Sequence, residues 1–493
     1  MSDSVQQSQP MTSFSPWHLR NAWLKMDQNP RAIEFAKSNI GIFVLHAAFI
    51  FVMALSQQFS NSALGLISLT IIGVAILPKY RIPLIMLSSV FYLLLRPFRV
   101  DGWSNLLNTK VVELPLNISP YIWQFSAVGA FLCFAFIFLK CINWQKTTWI
   151  SKRPVLSLIL IWASCAIIAL LTSDQSYVST FLWTFTGVLV SSLWFLAYAA
   201  VDQKNKEQTP LVVRSGFMRP FWGGSATPIG KSFGYLNKFD AKNDNELAVT
   251  RLKAIKLIVW ALILTIMMHA MEMVARGYLN LPVLQEIILA HADGNPFATG
   301  TNWSSLIYNY FLDLVVIAIW GHFIVAVIRM IGYRIPRNTR NPLASRTLAE
   351  FWNRYFFYFK ELLVDFFFYP TFVRYFKKAP KLRIAFATFC AAFLGNFLYH
   401  FARDTFHFAQ LPFWEALAIF QSAAVYSVLL ALGLILSQLN PYKPKPQDGF
   451  FRYEVLTRLN VIAFFCFLKI FDDMSGEGNV VERLAFLIDL FGA

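Results

Sequence analysis

The stretch IYNYFLDLVVIAIWGHFIVAVIRM, residues 307–330, is almost continuously apolar, with Asp313, His322 and Arg329 as its acidic and basic residues. A helix needs ~20 apolar residues to cross ~30 Å of hydrocarbon, and this run is longer than that. It is read as a membrane span carrying ionisable groups that must face protein or a wet cavity, because a charge facing lipid is expensive.

The rest of the chain repeats the pattern. Of its 493 residues, 57% are hydrophobic and 14% charged, and the mean hydropathy is +0.50, outside the range of soluble domains. Candidate spans fall near 40–57, 63–78, 82–95, 120–140, 154–172, 178–201, 254–275, 305–331, 382–402, 412–437 and 455–471. The expectation is an all-α polytopic membrane protein with about ten to twelve transmembrane helices plus re-entrant or interfacial helices around a central cavity. Four regions follow: an N-terminal interfacial segment (1–38), an N-terminal helical half (39–201), a polar insert (202–253) and a C-terminal helical half (254–493). The insert is too small and too polar for a core of its own. The aromatic-rich segment 350–380 is expected to lie half in the membrane beside the cavity.

The net charge of +16 comes from Lys and Arg in the connections between apolar runs, not from a nucleic-acid-binding stripe. Alternating those connections puts the N-terminus in the cytoplasm of what would be a bacterial inner membrane, and no cleavable leader is apparent. The first helix is preceded by SPWHLRNAWLKM (15–26), read either as a short helix anchored by Trp17 and Trp23 or as a loose tail. The five cysteines have no metal-binding or disulfide spacing. No HExxH or paired-histidine motif occurs, so no metal is expected. GGSATPIGKSFG (223–234) has the wrong glycine spacing for a phosphate-binding loop.

Within the spans, His46 is read as a packing histidine, and His269 and Glu272 as a local pair on one helix face. Asp313 and His322 are expected to line one cavity. The stretch GNFLYHFARDTFHF (395–408) ends an apolar run with His400, Arg403, Asp404 and His407. The last three are read as the helix meeting water, with Asp404 in reach of orienting His400.

The segment from about 304 to 410 resembles the membrane-bound O-acyltransferase family, in its bacterial branch that acetylates alginate or transfers D-alanine to teichoic acids. The residues carrying the resemblance are Asp313 in its span, Arg329, Met330 and Gly332 in the turn after it, and Pro342, Ser345, Glu350, Phe351, Trp352 and Arg354 in the polar loop and helix. Asp365, Pro370, Gly395, Tyr399 and His400 complete it. The resemblance implies that His400 is the catalytic base of an acyl transfer. The hydroxyl acceptor would be an extracytoplasmic glycan, glycolipid or lipid. Acyl-CoA, most simply acetyl-CoA, would be co-substrate with no bound cofactor. Asn353 and Asn396 are candidate oxyanion donors. Arg334, Arg337, Arg340 and Arg346 are candidates for the donor phosphates, with Trp352, Arg354 and Tyr399 nearby. Phe356 stands where this branch has a second histidine, which leaves room for a catalytically reduced subunit that works with an envelope protein partner.

Overall fold

The computed structural model describes residues 16–115, 118–144, 147–173, 175–204, 209–223, 229–440, 444–472 and 478–492. Every candidate span is helical, and apart from the isolated bridge between Asp240 and Tyr333 no strand pairing occurs among the described residues. Among the described residues, seven helices are long and apolar enough to cross a membrane, and an eighth span results if the pair Pro30–Lys37 and Asn39–Leu55, bent by 93°, counts as one. This is fewer than the expected ten to twelve. Arg81–Leu95 has 15 residues and Asn61–Ile76 has 16, so these apolar helices fall short of the membrane-crossing length. The chain is an all-α, integral membrane protein.

Two spans are interior. In the most apolar window of Tyr177–Lys204, 89% of residues are buried, and in that of Thr299–Met330, 67%, against 22% in Asp244–Tyr278. Helices that present apolar side chains outward, such as Phe43, Leu69 and Leu436, meet the lipid. Thr299–Met330, the central helix, packs along Asp244–Glu272. Its Leu306, Tyr310 and Leu314 belong to one core and its Ile319, Phe323 and Val327 to another.

The described residues of the 202–253 insert build no separate core. Phe217, Met218, Trp222 and Phe233 pack into the helical body, and Arg81 Nη2 holds Asp240 Oδ2 at 2.8 Å. The following helix starts at Asp244, before the expected boundary at 253, because Asn243 caps it by accepting from the Glu246 N–H. At the N-terminus, Pro16–Leu24 is helical. The nearby Asp27 pairs with Lys256, whose Nζ also donates to the Leu24 carbonyl at 2.9 Å. His46 is buried with Nδ1 2.6 Å from the Ile42 carbonyl, and His269 Nδ1 lies 3.3 Å from Glu272 Oε2. All five cysteines are free.

The segment 348–374 is a broken helix: Leu348–Tyr355, then Phe357–Leu363, a π-helical turn Val364–Phe368 and Tyr369–Arg374. A second π-helical turn, Cys390–Gly395, precedes Asn396–Arg403. The two π turns pack together at Gly395, where an added Cβ would stand 2.6 Å from the Phe367 ring. Glycine therefore permits the close approach, and the wider turn sets the register in which His400 follows.

Candidate functional site

His400 lies one helical turn beyond Asn396, on a helix that packs on Gln421–Leu439. Its ring meets Tyr399 edge-on at 5.4 Å and Phe359 at 6.4 Å. Its Nδ1 is buried and has no hydrogen-bond partner in the protein. An orphaned buried nitrogen is costly unless something else binds it. The buried Asn396 donates from Nδ2 to Ser427 Oγ at 3.2 Å and leaves Oδ1 unpartnered. Its Oδ1 thus offers an acceptor at this point, while one of its two Nδ2 hydrogens is committed to Ser427.

Charged groups collect around this histidine from distant parts of the chain. Lys469 pairs with Asp313 of the central helix and lies 3.0 Å from Asp472 Oδ2. The Asp472 charge acts on His400, and Asp313 and Asp472 both act on the Tyr355 and Tyr426 hydroxyls. The side chains of Asp313 and Asp472 keep 40% and 44% of their surface accessible, so the cluster is only partly enclosed by protein. Neither Lys469 nor Asp472 was a sequence candidate. The signal was available: an aspartate inside an apolar run needs a cation, and Lys469 closes the run VIAFFCFL.

Arg403, Asp404 and His407 do not mark a helix meeting water. Asp404 is 4% exposed and grips Arg403 through both oxygens, at 2.8 and 2.6 Å, while the Arg403 carbonyl accepts from Trp103 Nε1 at 2.9 Å. The helix Asp101–Glu113 covers this end, its Gly102 lying against the Phe406 ring. Asp404 is therefore committed to Arg403. Its link to His400 is a backbone hydrogen bond, Asp404 N–H to the His400 carbonyl at 3.0 Å, and no carboxylate–imidazole bond forms.

Other candidates separate. Asn353 is exposed, because the Leu348–Tyr355 helix turns Phe351 and Trp352 inward. Trp352 packs on Phe359 and Phe465, and Arg354 pairs with Glu350 at 2.5 Å. Tyr399 is walled in, stacked on Trp194 with its hydroxyl accepting from Arg99 Nη1 at 3.1 Å. Arg334 pairs with Glu246 at 3.0 Å, and Arg346 with Glu454. Lys231, the lysine of the loop that mimics a phosphate-binding motif, is held by Asp365, with Glu361 at 3.7 Å; residues 224–228 of that loop lie outside the described residues.

Asp313 and His322 do not share a cavity. Nine residues at 3.6 per turn make two and a half turns, which places them on opposite sides of the central helix. His322, Arg337 and Arg340 line a separate groove of about 1060 Å³ between the central helix and Asp244–Glu272. The loop forming its mouth is pinned to the broken helix. Thr339 Oγ1 donates to the Tyr355 carbonyl at 2.9 Å, the Arg340 N–H to the Arg354 carbonyl at 2.7 Å, and the Phe357 and Tyr358 N–H groups to Asn338 O and Oδ1 at 3.1 and 3.2 Å.

No protein-family model matches the chain, and no curated protein matches it. Among the described residues no group of three or more His, Cys, Asp or Glu side chains is placed to hold a metal ion.

Proposed function

We propose that the protein is a membrane O-acyltransferase that moves an acyl group, most simply acetyl, from acyl-CoA to a hydroxyl of an extracytoplasmic glycan, glycolipid or lipid. The observation that carries this reading is His400, whose buried Nδ1 has no partner in the protein and which feels the charge of Asp472, a carboxylate that also acts on the Tyr355 and Tyr426 hydroxyls. A hydroxyl attacking a thioester carbonyl must lose its proton, and a neutral imidazole takes it. The new C–O bond forms while the carbonyl becomes an oxyanion. Collapse breaks the C–S bond, and the thiolate receives the proton from the imidazolium.

The Asp472 charge favours the imidazolium between these steps, against the opposing charge of Arg403. Tyr355 and Tyr426 supply hydroxyl donors for the oxyanion, a role in which preorganised donors are worth most. They take the role expected of Asn353, which is exposed. Of the four arginines expected to meet the donor's phosphates, Arg334 and Arg346 are committed to glutamates, and Arg337 and Arg340 line a groove apart from His400.

A second reading is favoured by Phe356, which packs on Phe359 at 5.4 Å and contributes only an apolar wall where the resembling family has a histidine. In that reading the protein is a catalytically reduced subunit of an envelope glycan or secretion assembly. Membranes carrying wild type or His400→Ala, supplied with radiolabelled acetyl-CoA, decide between them. A loss of transfer by roughly 100-fold or more is expected. Undiminished transfer in the variant would overturn the role of His400, and no transfer by wild type with stable protein partners would favour the second reading.

A further inference from the structure

The groove beside the central helix lies on the opposite side from Asp313 and contains neither His400 nor its neighbours. Its walls are apolar: Trp260, Leu264 and Met271 from one helix, Phe311, Val315 and Ala318 from the other. Trp260 and Met267 are 38% and 41% exposed, so it opens sideways toward lipid. A second cavity of about 580 Å³ shares Met267, Met271 and Tyr308 and carries the cleft on to Ile307 and Leu279. From His322 to Ile307 the helix rises ~22 Å at ~1.5 Å per residue, more than the ~15 Å of one leaflet in a ~30 Å hydrocarbon core.

One end is cationic. Arg337 and Arg340 line it and form no ion pair among the described residues. The acidic group nearest in charge to Arg337 is Asp27, which is already held by Lys256, with Lys253 at 3.8 Å. Arg458, also at this end, is taken by Glu454. Two unneutralised guanidiniums three residues apart repel each other, and an anion between them relieves that. Both arginines are exposed, at the edge of the apolar cleft where a lipid headgroup would meet them.

We propose that this groove binds one anionic phospholipid, its phosphate on Arg337 and Arg340 and an acyl chain between the two helices. A phosphate supplies the missing negative charge, and a chain fills the apolar length that acetyl-CoA, with its two-carbon acyl group, leaves empty. The site does not depend on the acyl-transfer reading. It does connect to the His400 region, since Asn338, Thr339 and Arg340 hold the backbone of Arg354 to Tyr358. The bound lipid thereby steadies the segment that carries Tyr355.

The test uses the full-length protein in a nonionic detergent, incubated with phosphatidylglycerol or phosphatidylcholine and examined by native mass spectrometry. One phosphatidylglycerol per chain is expected to persist in preference to phosphatidylcholine. Arg337→Gln with Arg340→Gln lowers its retention roughly 30-fold, the effect of two basic residues at an anionic lipid. Ala318→Trp, which fills the groove but spares the arginines, abolishes it while the gel-filtration profile stays unchanged. Equal retention of the two lipids, or full retention by the arginine variant, would overturn the proposal. Stoichiometric displacement of the lipid by acetyl-CoA would also overturn it, by making the groove the donor's site.

Discussion

Gly321→Val probes how the groove and the His400 region are joined. A Cβ at Gly321 would stand 3.0 Å from Asn338 Cβ and Nδ2 and 3.3 Å from Thr339 Oγ1. Neither neighbour yields freely. Asn338 accepts from the Phe357 and Tyr358 N–H groups, and Thr339 donates to the Tyr355 carbonyl. Valine adds two methyls beyond the Cβ, so the loop must lift. Losing the two Asn338 bonds costs about 2 kcal/mol at ~1 kcal/mol each, and residual crowding adds ~1–3 kcal/mol. The sum, about 3–5 kcal/mol, is large against typical point mutations. The assay is hydrogen exchange followed by mass spectrometry, together with thermal unfolding in detergent. Faster exchange at Phe357 and Tyr358 with a Tm lowered by several degrees is expected. Unchanged exchange and an unchanged Tm would refute the pinning of the loop against the central helix.

Two further outcomes follow from the charge cluster. Lys469→Met leaves Asp313 and Asp472 without their shared cation; because both carboxylates retain accessible surface, the cost should sit toward the lower end of ~3–5 kcal/mol for a broken buried pair. Thermal unfolding reads it, and adding Asp313→Asn with Asp472→Asn should restore most of the loss; a single variant as stable as wild type would show that water screens the cluster. Tyr355→Phe removes a proposed oxyanion donor and should lower kcat on the order of 100-fold with KM little changed, whereas an unaltered kcat in steady-state acetyl transfer would remove Tyr355 from the chemistry.

The spans were legible because a bilayer demands long apolar helices and the chain supplies them one after another. Their number was less so: an apolar run such as 82–95 looks like a span, yet the helix Arg81–Leu95 has only 15 residues. His400 was singled out from its depth and motif setting, and its neighbourhood was not. Lys469 and Asp472 reach it from some seventy residues further along the chain, a proximity that no local periodicity encodes. Asn353 could have been excluded, since it lies among Glu350 and Arg354 on the polar side of an amphipathic helix whose Phe351 and Trp352 point inward. The pairing of Asp313 with His322 failed on angle alone.

That failure has a structural consequence. Because those two residues lie on opposite sides of one helix, the central helix separates two compartments of different character. One carries the charge cluster of Asp313, Lys469 and Asp472 near His400; the other is apolar and basic at one end. Side chains of the central helix do not relay between them in the geometry described, since Asp313 is tied to Lys469 while His322 faces the groove. The connection runs instead through the loop after the helix, where the arginines of one compartment and the backbone supporting Tyr355 of the other belong to a few adjacent hydrogen-bonded residues. A ligand that orders Arg337 and Arg340 restricts Asn338 and Thr339 as well, and the rigidity passes to Tyr355 without any long-range shift of the helices. On this account, neutralising the arginines lowers activity through kcat even when the reacting groups are untouched.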